Sequence, residues 1–229
     1  MQTLVNGLHE FFKSVVTDHG ELLKKLATGQ DPKVLLVTCA DSRVEPSWVF
    51  QSKPGSVFVV RNAGNLVPSS DHTGGGEIAS IEYALKSLDI QDLVICGHTD
   101  CGAMKGLLAG ATGFTHVGPW LQHAKRTKEI MESSYQHLTG TDHVTACAEE
   151  NVLVQIEQLL SHDFVREAWQ TGRLRIHGWV YDVGSGEVFA YNSKDQQFRQ
   201  LRVDGPQPIG NHPSERQAVM NHRSQGGSA

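Results

Sequence analysis

Val34-Leu35-Leu36-Val37-Thr38-Cys39-Ala40-Asp41-Ser42-Arg43 is an aliphatic and β-branched run that ends abruptly in a thiol, a carboxylate, a hydroxyl and a guanidinium. Apolar residues on successive positions, rather than alternate ones, suit a strand covered on both faces, as in parallel sheets. Val57-Phe58-Val59-Val60 and Leu93-Val94-Ile95-Cys96 are runs of the same kind. Between them, Ile78, Ile81, Tyr83, Ala84, Leu85 and Leu88 recur at helical spacing over residues 77–88. Strand, helix and strand then follow one another as in a right-handed crossover. The expected fold is α/β, with a mostly parallel central β-sheet flanked by helices.

Upstream, Leu4, Val5, Leu8, Phe11, Phe12, Val15 and Val16, then Leu22, Leu23 and Leu26, keep three- and four-residue spacing. This predicts two one-sided helices, broken at Asp18-His19-Gly20. Gly29-Gln30-Asp31-Pro32 stops the pattern, because proline favours an extended residue before it and glycine accommodates a helix exit. Downstream, residues 151–160 predict a further helix. Residues 173–181 and 187–191 alternate around Gly184-Ser185-Gly186, which predicts an antiparallel edge hairpin. Past about Asn192 the chain is polar, and residues 214–229 read as a frayed tail. The expected organisation is one domain over residues 1–229: a helical arm (1–30), a core (31–192) and a polar extension (about 193–229).

Composition excludes several classes. Twenty Lys and Arg against 25 Asp and Glu leave a net charge of -5 over 229 residues, so no general pull toward nucleic acid or anionic lipid is expected. The N-terminus carries His9, Glu10 and Lys13 where a signal peptide needs an unbroken apolar stretch, and no apolar run approaches membrane-spanning length. The chain reads as cytoplasmic. Four cysteines are too sparse for a disulfide scaffold, and in a reducing compartment spaced Cys and His residues point to metal or catalysis.

Two of the apolar strands end in polar clusters: Cys39 to Arg43, and Cys96-Gly97-His98-Thr99-Asp100-Cys101-Gly102. Open α/β sheets bind ligands at the carboxyl ends of their strands. Cys39, His98 and Cys101 supply two thiolates and one imidazole, the donor set of a catalytic zinc with one open position. His-x-x-Cys lets one loop present two ligands, and the 59 residues from Cys39 to His98 suit two strands joined through a crossover rather than a finger. Asp41 and Arg43 read as an ion pair beside the metal, and Asp41 is the obvious fourth ligand if the site were closed. Cys96 and Cys147 read as small core hydrophobes. Gly74-Gly75-Gly76 lacks the following Gly-Lys-Ser/Thr of a nucleotide loop and reads as a helix entry. His116, His123, His137, His143, His162, His212 and His222 lie in polar segments without ligand spacing and read mostly as surface residues.

Cys39-x-Asp41-Ser42-Arg43 followed by His98-x-x-Cys101 resembles the β-class carbonic anhydrases. The likeness extends through Val60-Arg61-Asn62-Ala63-Gly64-Asn65, Glu82-Tyr83-Ala84, Gly102-Ala103-Met104-Lys105-Gly106, Glu149-Glu150-Asn151-Val152 and His177-Gly178-Trp179, roughly residues 4–191. The resemblance implies reversible hydration of carbon dioxide to bicarbonate and a proton, by attack of zinc-bound hydroxide, with Asp41 and Arg43 catalytic and one Zn2+ per chain. It implies an apolar substrate pocket of Phe58, Ala63 and Tyr83, a backbone N–H from Gly102, and the Gln30 amide from a neighbouring subunit. N-terminal helices packing on a partner would make a homodimer or a dimer of dimers. In one branch of the family, bicarbonate gates the site through a tryptophan, an arginine and a tyrosine. Arg61 and Tyr181 could match, but Leu36 occupies the tryptophan position, and with Gln30 this implies the open-site, plant-like branch. A silent zinc-bearing assembly subunit, or a hydrolase of carbonyl sulfide or carbon disulfide, are the alternative readings.

Overall fold

The computed structural model describes residues 1–72 and 74–202. The chain divides into two units, Met1–Asp31 and the remainder from Pro32. In the first unit, α1 (Gln2–Glu10) runs through a π-helical stretch, Phe11–Val15, into α2 (Val16–Asp18), and α3 (Gly20–Leu26) follows. The break falls at His19, whose φ of -119° and ψ of 21° leave the helical region, as the sequence predicts. No residue of these helices is buried, and Leu4, Leu8, Phe11 and Phe12 are exposed.

The second unit carries the sheet. Its strands are β1 (Val34–Cys39), β2 (Val57–Asn62), β3 (Asp92–His98), β4 (Arg175–Tyr181), β5 (Val188–Asn192) and β6 (Gln197–Gln200), and its helices are α4 (Pro46–Val49), α5 (Gly76–Ser87), α6 (Gly102–Ala109), α7 (Val117–Leu121), α8 (Lys125–Ser134), α9 (Gly140–Ser161) and α10 (Asp163–Gln170). The spatial order is β2-β1-β3-β4-β5-β6. β2, β1, β3 and β4 are parallel, and β5 and β6 are antiparallel additions. Successive residues of β1 and β3 do face opposite covers. Leu35, Val37, Leu93 and Ile95 pack with Ile81, Val152, Ile156 and Leu159 of α5 and α9. Leu36, Val94 and Cys96 pack with Val44 and Tyr181, and with Val49 and Phe50 of the α4 segment. A third cluster, built from α6, α7, α8 and the first half of α9, caps the carboxyl ends of β1 and β3.

The structure corrects the sequence reading in several places. β2 is the sheet edge, and Val59 is 40% exposed, so its apolar run does not signal a strand covered on both faces. The predicted hairpin is not the sheet edge: β4 lies between β3 and β5, and β6 continues the sheet beyond β5. The polar extension therefore does not begin at residue 193: Gln197–Gln200 pairs with β5, and the Leu201 N–H still bonds to the Val188 carbonyl. The tail expected over residues 214–229 lies outside the described residues. The helix expected from Asn151 starts at Gly140, after Thr139 in extended geometry and with Asp142 favourably placed in its first turn. Its middle is buried on several sides, which blurs the one-sided pattern that marks a surface helix. His162, read as a surface residue, is buried with Nε2 against the Pro68 carbonyl at 2.9 Å. Cys96 and Cys147 are buried as expected, and burial pushes both thiols up to about 12. Gly75 precedes α5 with φ of +123°, which suits a glycine helix entry.

Candidate metal centre

The parallel register that sets Thr38 beside Cys96 brings the ends of β1 and β3 together. Cys39 closes β1, His98 closes β3, and the next turn delivers Cys101 at the threshold of α6. All three are buried, and their ligand atoms lie within 4.8 Å of one another. Among the described residues no other group of three such side chains could hold a metal ion. His98 has no accessible surface, and its two nitrogens differ. Nδ1 lies 2.9 Å from the Thr99 carbonyl, an acceptor only, so Nδ1 carries the proton. Nε2 is buried without a hydrogen-bond partner. An orphaned imidazole nitrogen beside two thiols costs free energy unless something binds it.

The thiols are electrostatically unequal. The neighbouring Cys101 thiol, with the N–H groups of Gly64 and Asp41, lowers the Cys39 thiol against the opposing effect of burial. Cys101 is pushed up by Cys39 and by burial. The Gly64 N–H lies 3.4 Å from Cys39 Sγ, and Asn151 Nδ2 donates to the Gly64 carbonyl at 3.0 Å. Gly64 has φ of +86°, and a Cβ there would stand 2.9 Å from that of Ala103, so both the turn and its packing demand glycine.

Beside the donors, Arg43 grips Asp41 through a fork: Nε to Oδ1 at 3.0 Å and NH2 to Oδ2 at 2.8 Å. The Arg43 backbone N–H adds a third bond to Oδ1 at 3.0 Å. The guanidinium holds the Asp41 carboxyl well below the usual carboxylate range. Asp41 Oδ2 is 3.8 Å from His98 Nε2, which puts an ionised acceptor at the rim of the donor set.

The carbonic anhydrase family profile matches residues 34–188. A carbonic anhydrase of Synechococcus elongatus is 45% identical over 191 residues, covering 82% of this chain and 70% of that protein. The solved β-carbonic anhydrase CcaA superposes with a TM-score of 0.86 at 38% identity, over 89% of this chain and 93% of its own. This chain belongs to the β-class carbonic anhydrases. Its reaction is the zinc-dependent, reversible hydration of carbon dioxide to bicarbonate and a proton. A structure of tetrameric β-carbonic anhydrases from Sordaria macrospora is also similar, with a TM-score of 0.77 at 28% identity, covering 82% of this chain and 95% of that one.

Within this β-carbonic anhydrase, the other residues singled out in the sequence fall into four groups. Phe58 and Tyr83 lie together, ring centroids 6.1 Å apart, with Phe58 half-buried and Tyr83 half-exposed. Ala63 is next to Gly64, and its carbonyl accepts from Trp120 Nε1 at 2.8 Å; Gly102 opens α6 beside Cys101, where a first-turn N–H has no partner within the helix. Gln30 is an exposed residue of the N-terminal unit, not of the unit that carries the donors. The gating positions are already engaged. Leu36 and Tyr181 are packed in the core, and Arg61 spends Nε on the Cys39 carbonyl and NH2 on those of Asp41 and Val44.

Sequence reasoning passed over Asp100, Lys105 and Asn151. Asp100 stands between two donors and has φ of +58°, yet its partners come from elsewhere in the chain. Asn151 is legible only as one residue of a helix until the fold shows its amide beneath Gly64.

Proposed function

We propose that Cys39, His98 and Cys101 hold one zinc per chain and that Asp41 and Arg43 set up its reaction with carbon dioxide. The observation that carries this is the orphaned Nε2 of His98, buried beside two thiols and already in the tautomer a metal requires. Three donors of this kind fit a catalytic zinc rather than a closed structural one. Zinc bound there supplies Lewis acidity, lowering the pKa of a water so that hydroxide is available near neutral pH.

The chain's residues do the rest. Asp41, kept ionised by Arg43, accepts the hydrogen of the attacking oxygen and turns a lone pair toward the substrate carbon. With both its oxygens held by Arg43, Asp41 stays off the metal. Phe58, Ala63 and Tyr83 offer an apolar wall to a small linear molecule, and the Gly102 N–H gives it an acceptor's partner. Gln30 serves the site of a neighbouring subunit through its amide. A dimer or dimer of dimers is supported by the exposed Leu4, Leu8, Phe11 and Phe12, by the uncovered apolar edge at Val59, and by the tetrameric relatives. Four free, buried cysteines accord with a reducing, cytoplasmic setting.

The site is read as open and ungated, because Leu36 fills the core where an effector would need a donor, and Arg61 has Nε and NH2 on carbonyls and NH1 3.6 Å from Glu45 Oε2. Stopped-flow carbon dioxide hydration, with zinc measured on the same sample, tests the reading. One zinc per chain with turnover is expected, and bicarbonate should inhibit without cooperativity. Zinc-loaded protein without turnover would sink the assignment, and cooperative bicarbonate inhibition would sink the open site.

A further inference from the structure

Arg43 has a second partner. While one edge of its guanidinium holds Asp41, NH1 donates to Asp100 Oδ2 at 2.9 Å and NH2 reaches the Asp100 carbonyl at 3.2 Å. The other oxygen of Asp100, Oδ1, is paired with Lys105 Nζ, one turn into α6. Asp41, Arg43, Asp100 and Lys105 thus form a continuous chain of two carboxylates and two cations, beginning at the metal donors and ending at the surface. We propose that Asp100 and Lys105 are positioning residues, which fix Arg43 so that Asp41 remains paired with it and turned away from the metal.

Three observations carry this beyond an ordinary surface ion pair. Arg43, Asp100 and Lys105 are about half-exposed, a setting in which ion pairs contribute little to stability, so the chain is poorly placed to act as a general staple. Its geometry is nonetheless specific, because both edges of one planar fork are satisfied at once and the long Arg43 side chain is left a single orientation. Asp100 also occupies the left-handed region, unusual for a residue with a side chain, and this places it between His98 and Cys101 while its carboxylate reaches back to Arg43. Lys105 has a distinct part. An unbalanced Asp100 carboxylate would compete with Asp41 for the same guanidinium, and the ammonium of Lys105 offsets that charge.

The inference rests on the zinc reading above, and its test separates the two. Asp100→Asn and Asp100→Gly both tolerate the left-handed backbone, so they remove the charge, or the whole side chain, without straining the turn. Each is compared with wild type for zinc content, for kcat and KM in carbon dioxide hydration, and for the visible spectrum of the cobalt-substituted protein. Zinc should stay at one per chain. In Asp100→Gly, kcat/KM should fall about 10-fold, the scale of losing an outer partner of a metal site. The cobalt spectrum should shift as the Asp41 carboxylate takes the position of a water. Asp100→Asn should show the same changes more weakly, and it decides the matter if Asp100→Gly does not fold. Lys105→Met should lower kcat/KM in the same direction, by less. Unchanged spectra and kinetics in both Asp100 variants would overturn the proposal, as would loss of metal from both, since Asp100 would then be holding the ligand turn. Wild-type protein that carries zinc but hydrates no carbon dioxide would sink the functional reading instead.

Discussion

The sheet carries two clusters of Asp, Arg and His, one at each end of β3. At the amino end, Arg175 holds Asp92 by a fork of 2.7 and 2.5 Å, and His177 Nε2 lies 2.8 Å from Asp92 Oδ1. At the carboxyl end, Arg43 holds Asp41 by a similar fork, but His98 Nε2 is 3.8 Å from Asp41 and bonded to nothing. Residue types and pairing geometry are nearly the same. What differs is the histidine: the first cluster is closed upon itself, while the second leaves one buried nitrogen unspent beside two thiols. Chemistry resides in that unspent valence, and the same three residue types without it make a brace.

The sharpest way to break the comparison is to interchange its consequences. Cys101→Ser should lose tightly held zinc, and hydration should drop to near the uncatalysed rate, whereas His177→Ala should keep both. Metal analysis and stopped-flow assays on the two variants read this directly, and zinc retained in Cys101→Ser would remove it from the donor set. Next in size, Asp41→Asn should keep zinc and lose about 10- to 100-fold in kcat/KM, because an amide neither pairs fully with Arg43 nor accepts as a carboxylate does. Near-normal turnover would remove Asp41 from the chemistry.

The closed cluster should register in stability instead. Burial by itself would raise the Asp92 carboxyl, but Arg175 and His177 outweigh it and hold it below its ordinary value. A carboxyl depressed in the folded state contributes stability above its unfolded pKa, and that contribution is lost as pH falls. Asp92→Asn should therefore cost about 1–3 kcal/mol at pH 7, with turnover per zinc unchanged. Below about pH 4 the gap to wild type should narrow, and denaturant titrations at several pH values check this.

Glu149 on α9 supplies the smallest and opposite case, a half-buried carboxyl with no salt bridge among the described residues to offset it. Burial, aided by Glu150, raises it to about 7. The folded state then binds this proton more tightly than the unfolded chain, so stability is present at low pH and lost as pH rises through about 7. Glu149→Gln should flatten that decline, gaining on the order of 1 kcal/mol over wild type at pH 8 and little at pH 5. A wild-type stability that does not fall between those values would contradict it.

These contrasts also mark what could be read from the chain. β1 was legible to the residue, because a continuous apolar run closing in Cys39 and Asp41 admits few other readings. The three donors were legible because strand ends announce themselves by a change of polarity. β6 was not, since Gln197-Phe198-Arg199-Gln200 has one apolar residue and gains its identity from pairing with β5. The Asp92 brace was hidden for a related reason: its partners lie 83 and 85 residues away and arrive through the β3–β4 register. Asp100 was in plain view between two donors, but its meaning depends on Arg43, 57 residues earlier. Local pattern reveals elements and donors, while a partner chosen by tertiary register leaves no local trace.

The proton on His98 Nδ1 is held by the carbonyl of Thr99, a group that every amino acid carries. The orientation of this ring is therefore invisible to genetics. A saturation-mutagenesis map could replace the Thr99 side chain and leave that acceptor intact, recording tolerance at the very peptide unit that presents the imidazole. Only an edit of the main chain itself, such as an ester in place of the amide between Thr99 and Asp100, weakens that carbonyl.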